Sequence, residues 1–121
     1  MSAESNIIDR EALNGLLDAV GGDSEFLREL LDEYFKDSPV QFNNMTTALS
    51  SNNAEDFRRA AHSLKSNSAN FGALDLSLRF KQLEDLGKSG NLDGGEALVA
   101  QANAKYLQVK TALEAILQEL S

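Results

Sequence analysis

A chain of 121 residues is the length of one domain and can enclose one core, and 42% hydrophobic with 25% charged residues is ordinary globular usage. Nineteen acids against 11 Lys plus Arg give a net charge of −8, which disfavours nucleic acid and anionic membrane as partners. With no cysteine and one histidine, disulfides, thiolate catalysis, Cys-ligated zinc, His-rich metal sites and a triad with a second His are excluded.

Met1-Ser2-Ala3-Glu4 has neither the basic nor the apolar region of a signal peptide, and no apolar run approaches the ~18 residues of a membrane span. The expectation is a soluble, cytoplasmic domain. Residues 1–8 read as an N-terminal extension and 9–121 as the folded unit. An initial Met and helices complete at both ends favour a whole small protein.

Asp9 reads as an N-cap flanked by Ile8 and Leu13, the spacing of a hydrophobic staple. Leu13, Leu16, Leu17 and Val20 form one helix face, which Gly21-Gly22 ends. Asp23 caps a second segment with Phe26, Leu27, Leu30, Leu31, Tyr34 and Phe35 on its apolar side. Ser38-Pro39 marks either a kink or a fresh helix start, and Val40, Phe42, Met45 and Leu49 carry the pattern to the polar break Ser50-Asn53. A fourth segment spans about Ala54 to Asn70. A fifth runs from Ala73 to about Leu86 through Leu76, Phe80 and Leu83, closing at Gly87 to Gly90. The last helix begins near Asp93, with Val99, Ala102, Tyr106, Val109, Leu113, Ile116 and Leu120 at alternating spacings of three and four. No stretch alternates long enough for a strand. The pattern predicts an all-α, antiparallel four-helix bundle with one or two additional short helices, monomeric, with every Phe and Tyr in the core.

The single histidine lies midway along the fourth segment. At 100° per residue, Phe57, Ala60, Leu64 and Phe71 fall within roughly 40° of the direction opposite His62. His62 therefore stands on the outer face, with Arg58, Lys65, Ser66 and Ala69 around it. By themselves these residues suit a solvated histidine as well as a site. Arg58 and Lys65 are equally readable as face charges or as partners of Glu55 or Asp56. Asn67 and Asn70 read as polar filler, and Gly94-Gly95 lacks the rest of a phosphate-cradling motif.

Ala61-His62-Ser63-Leu64-Lys65-Ser66-Asn67-Ser68, then Phe71-Gly72-Ala73, Leu76 and later Leu83-Glu84, resembles the histidine-containing phosphotransfer (HPt) domain family. Gly22-Asp23 with Leu27 and Leu30, and Phe57-Arg58-Arg59-Ala60-Ala61, are similar to the family as well. The resemblance runs from about Asp9 to the end of the fifth segment. One departure is Ser66, where the family usually has glycine.

The resemblance implies a phosphorelay intermediate. His62 would accept a phosphoryl group from the receiver aspartate of a hybrid sensor kinase and pass it to a response-regulator aspartate. The chain would be a phosphocarrier, not an ATP-dependent kinase, with no cofactor of its own and the magnesium in the receiver. The physical chemistry agrees. Neutral imidazole is a good nucleophile, and phosphoryl transfer is mostly positioning and charge stabilisation, which Lys65 supplies one turn along. By resemblance, Glu84 accepts a hydrogen bond from the other ring nitrogen. An imidazole pointing directly away from the core would leave Glu84 out of its reach. Receiver docking is expected beside His62, over Ser66 and Ala69, with Arg58 steering an acidic pocket and Ile8 supplying an apolar contact. Two alternatives remain. One is a non-catalytic helical interaction module with His62 incidental. The other is the phosphoacceptor part of a sensor kinase, which needs an ATP-binding domain that 121 residues leave no room for.

Overall fold

The structure, a computed structural model, describes residues 7–120. Five helices follow one another: α1 Arg10–Ala19, α2 Ser24–Ser50, α3 Ala54–Asn70, α4 Leu74–Ser89 and α5 Gly95–Leu120, with no strand among the described residues. The predicted caps hold. The Asp9 side chain accepts from the Glu11 and Ala12 amides at 3.0 and 3.3 Å, and Asp23 from Glu25 and Phe26 at 3.0 and 3.2 Å. Each such cap is worth about 1 kcal/mol. Asn53 caps α3 through the Asp56 amide at 3.1 Å.

Helices α2 to α5 form the four-helix bundle. α2 packs on α3, α3 on α4 and α4 on α5, and α5 closes back on α2. The connections are too short for anything but antiparallel neighbours. The core holds Leu27, Leu31, Met45, Phe57, Leu64, Leu76, Phe80, Leu83, Val109, Leu113 and Ile116, all fully buried. Each large side chain there contributes roughly 1.5–3 kcal/mol. The helix-spacing seam of α5 is buried from Ala102 to Ile116.

α1 is the additional short helix. Its start is tied to the α3–α4 turn, where the Asp9 amide donates to the Gly72 carbonyl at 2.8 Å. A side chain at Gly72 would sit 2.6 Å from the Asp9 carbonyl oxygen, and its φ of 81° is left-handed, so only glycine lets the chain return there. Ile8 is 1% exposed and part of the core. This corrects the N-terminal boundary at Ile8, which belongs to the fold. Residues 1–6 of the expected extension lie outside the described residues.

Three further readings are changed or narrowed. Ser38-Pro39 does not start a fresh helix, for α2 runs continuously through Pro39. Pro39 is exposed, and the Ser38 hydroxyl donates to the Tyr34 carbonyl at 2.6 Å. Phe26 is 45% exposed rather than core, as is Val40 at 54%. They stand about 100° and 140° around α2 from the buried Leu27, beyond the stripe that one side of a bundle covers. The fifth segment closes at the far end of the expected Gly87 to Gly90 stretch and not at its beginning. α4 continues to Ser89 and is capped by Gly90.

Candidate phosphoacceptor site

The site sits on the outer side of the α3–α4 hairpin. The face of α3 built from Phe57, Ala60, Ala61, Leu64 and Ser68 is buried, which turns His62 outward with 55% of its side chain exposed. The ring does not point directly away from the core. It leans onto α4, where Nδ1 meets Glu84 Oε2 at 2.6 Å. The other Glu84 oxygen accepts from Lys65 Nζ at 2.7 Å. One carboxylate thus joins two side chains that stand one turn apart on the neighbouring helix. Ser77 on α4 adds a hydrogen bond to the Lys65 carbonyl at 3.0 Å, pinning the hairpin beside the site.

Glu84 is 3% exposed. Burial alone would push its carboxyl up. The hydrogen bonds from Lys65 and His62, with the positive charge of Lys65, outweigh burial and hold it below the ordinary glutamate value. Glu84 is therefore a carboxylate at neutral pH, and a carboxylate only accepts hydrogen bonds. Nδ1 must carry the proton and donate it, which leaves the Nε2 lone pair free on the exposed side of the ring.

Arg58 flanks the site one turn before His62. Its guanidinium makes a two-pronged bond to Glu55, with Nε to Oε2 at 3.1 Å, and that pairing raises its pKa. Glu55 also meets Arg59 at 3.4 Å. Of the two pairings left open by the sequence, Arg58 takes Glu55 while Lys65 takes the more distant Glu84. Ser66 is exposed and Ala69 half-buried on the same stripe as His62, so the ground beside the ring is low. Ile8 does not join this surface. It is enclosed by the core, and an enclosed side chain offers a partner nothing, which corrects its expected docking contact.

The charge is divided unevenly. The α3–α4 hairpin carries six Lys and Arg against five acids, while residues 9–50 carry three against nine. The surplus acidity of the chain lies away from His62.

Two features of the hairpin were not anticipated. The Ser68 hydroxyl is buried and bonds the Tyr34 hydroxyl at 2.8 Å, tying α3 to α2 beneath the site. Gly87, read as a terminator, is buried inside α4 against Arg58. Gly90, three residues on, is the glycine that stops the helix, with a left-handed φ of 79°.

The family model described as Hpt domain matches residues 29–120 of the chain. Among solved structures, the chain is similar to histidine-containing phosphotransfer protein B (HptB) of Pseudomonas aeruginosa PAO1, with 28% identity, 98% of each chain covered and a TM-score of 0.86. No curated protein matches. The expected fold and the family resemblance carried by the His62 motif agree with both findings. The chain belongs to the Hpt domain family and has a histidine phosphotransfer role in phosphorelay.

Proposed function

We propose that His62 is the phosphoacceptor, taking a phosphoryl group from the receiver aspartate of a hybrid sensor kinase and handing it to the aspartate of a response regulator. The observation that carries this is the 2.6 Å contact from His62 Nδ1 to the buried Glu84 carboxylate, which leaves Nε2 as the exposed lone pair. In the first step Nε2 attacks the phosphorus of an aspartyl phosphate. The Nε2–P bond forms, the P–O bond to aspartate breaks, and aspartate leaves as carboxylate. The ring is then cationic, and Glu84 holds its Nδ1 proton and offsets its charge. The second step is the reverse, with the receiving aspartate as nucleophile. Lys65, within reach of the same carboxylate, is the cation that offsets charge on the phosphoryl oxygens. Magnesium belongs to the receiver. The chain acts as a monomeric carrier in the cytoplasm.

Docking falls on the His62 stripe, where Ser66 and Ala69 are short enough to admit the receiver and Arg58 faces its acidic pocket. The deciding experiment incubates the protein with phosphorylated receivers and follows label on this chain. The label should be acid-labile and base-stable, and absent from His62→Gln. A labelled His62→Gln protein ends the proposal. Ser66→Tyr and Ala69→Trp should block transfer from the receiver while a small phosphodonor still labels His62. Wild-type transfer in both would place the docking surface elsewhere.

A further inference from the structure

The bond between His62 and Glu84 spans two helices, so its length depends on how closely α3 and α4 approach. One close contact limits that approach. A Cβ built on Gly87 would lie 2.8 Å from Arg58 Cβ and 2.9 Å from both Arg58 Cα and Arg58 N. Two of those three atoms are backbone and cannot rotate away. Ordinary carbon contacts need about 3.5–4.0 Å, so any side chain at 87 would push the helices apart by roughly 0.6–1 Å. Gly87 lies one turn after Glu84 on α4, and Arg58 lies one turn before His62 on α3. In an antiparallel pair these two offsets place the glycine contact one helical turn, about 5.4 Å, from the hydrogen bond.

We infer that Gly87 is a positioning residue for the phosphoacceptor. The missing side chain sets the α3–α4 spacing at which Glu84 reaches His62 Nδ1 and selects the tautomer with a free Nε2. This rests on the reading of His62 as the acceptor, but its first consequence concerns the resting ring and needs no phosphate.

The size of the effect follows from the geometry. The Nδ1–Oε2 distance is 2.6 Å. Lengthened by roughly 0.6–1 Å, it reaches the limit beyond which a hydrogen bond no longer exists. Released from Glu84, the neutral ring distributes its proton over both nitrogens, and the fraction protonated on Nε2 cannot attack through that nitrogen. Gly15, Gly21, Gly22, Gly90 and Gly94 have open space around them, and of the other close glycines Gly72 meets Asp9 and Gly95 meets the side chains of Leu49 and Leu86, so it is Gly87 that brings α4 against the backbone of α3.

The test is Gly87→Ala, read by nitrogen NMR of the imidazole. His62 is the only histidine, so its two nitrogen signals are assigned without ambiguity. The wild type should show one tautomer, with Nδ1 protonated. Gly87→Ala should show a mixture, and labelling by a small phosphodonor should fall about three- to tenfold. Glu84→Asp, which shortens the reach without touching the helix contact, should reproduce both changes. Gly15→Ala should change neither.

A folded Gly87→Ala protein with the wild-type tautomer and rate overturns the inference. If Gly87→Ala alone is unfolded, it is measured in the Gly15→Ala background with trimethylamine N-oxide, which favours burial. Failure to fold there too makes Gly87 a requirement of the whole bundle and overturns the positioning role. If His62→Gln is still labelled, the acceptor assignment fails, whereas the tautomer change in Gly87→Ala stands or falls by itself.

Discussion

The α3–α4 hairpin and the α2–α5 pair bury their helix faces with opposite means. Between α2 and α5 the space is filled by rings: Tyr34 lies 5.8 Å from Tyr106, edge to face, and Phe42 5.6 Å from the same ring. Lys110 of α5 covers the Phe35 ring at 5.6 Å. In the hairpin, α3 buries the small Ala60, Ala61 and Ser68 beside Phe57 and Leu64, and Gly87 lets α4 backbone approach Arg58. Large rings give stability through area and tolerate some displacement. A two-helix hydrogen bond of 2.6 Å tolerates almost none. The site thus stands beside the glycine at which the two helices come close, while rings pack between α2 and α5.

The largest contrast should come from His62→Gln and Tyr106→Ala. His62→Gln is expected to abolish acceptance completely yet cost no more than about 1–3 kcal/mol, from the hydrogen bond lost at the buried Glu84 carboxylate. Labelling assays and urea melts of that variant check both halves, and an unfolded His62→Gln protein would make the ring structural. Tyr106→Ala should do the opposite. It should cost about 3–5 kcal/mol in urea unfolding and leave the labelling rate of the folded fraction near wild type. A Tyr106→Ala protein that folds fully but loses labelling would erase the division between the two regions.

Lys65→Ala comes next. It should slow transfer ten- to thirtyfold, or about 1–2 kcal/mol in the barrier, without removing the acceptor. An unchanged rate at low salt would reduce Lys65 to a structural partner of Glu84.

The smallest effect sharpens the comparison by pH. Glu84 has a lowered carboxyl pKa in the folded protein. Its contribution to stability is complete above the unfolded value of about 4.3 and is lost as pH falls through the lower folded value. Tyr34 and Tyr106 are shifted the other way, because burial pushes both hydroxyls up, with the Ser68 bond offsetting only part of this at Tyr34. Their contribution is complete below about pH 10 and is lost as pH rises towards the folded values. Urea midpoints across pH should therefore fall at the acid end through the hairpin and at the alkaline end through the rings. Glu84→Gln should flatten the acid limb and Tyr34→Phe the alkaline one. An acid limb unchanged in Glu84→Gln would assign it to other carboxylates.

Local chemistry in the sequence was enough for much of this. Caps at Asp9 and Asp23, the period of the apolar residues, and the outward angle of His62 are all decided within a few residues, because a helix has a fixed period. The family motif added Lys65 and Glu84. What the chain order could not supply were distances between helices. Whether Glu84 reached an outward imidazole depended on the ring leaning onto α4, and on how near α4 came. Ile8 looked available as a surface contact, but α1 folds back on the α3–α4 turn and encloses it. Pro39 stayed within a helix because its side of α2 is solvent-facing, and Gly87 proved to be a spacer because Arg58 stands opposite. Each of these is a relation between elements distant in sequence, set by packing, which is why it was decided only by the tertiary structure.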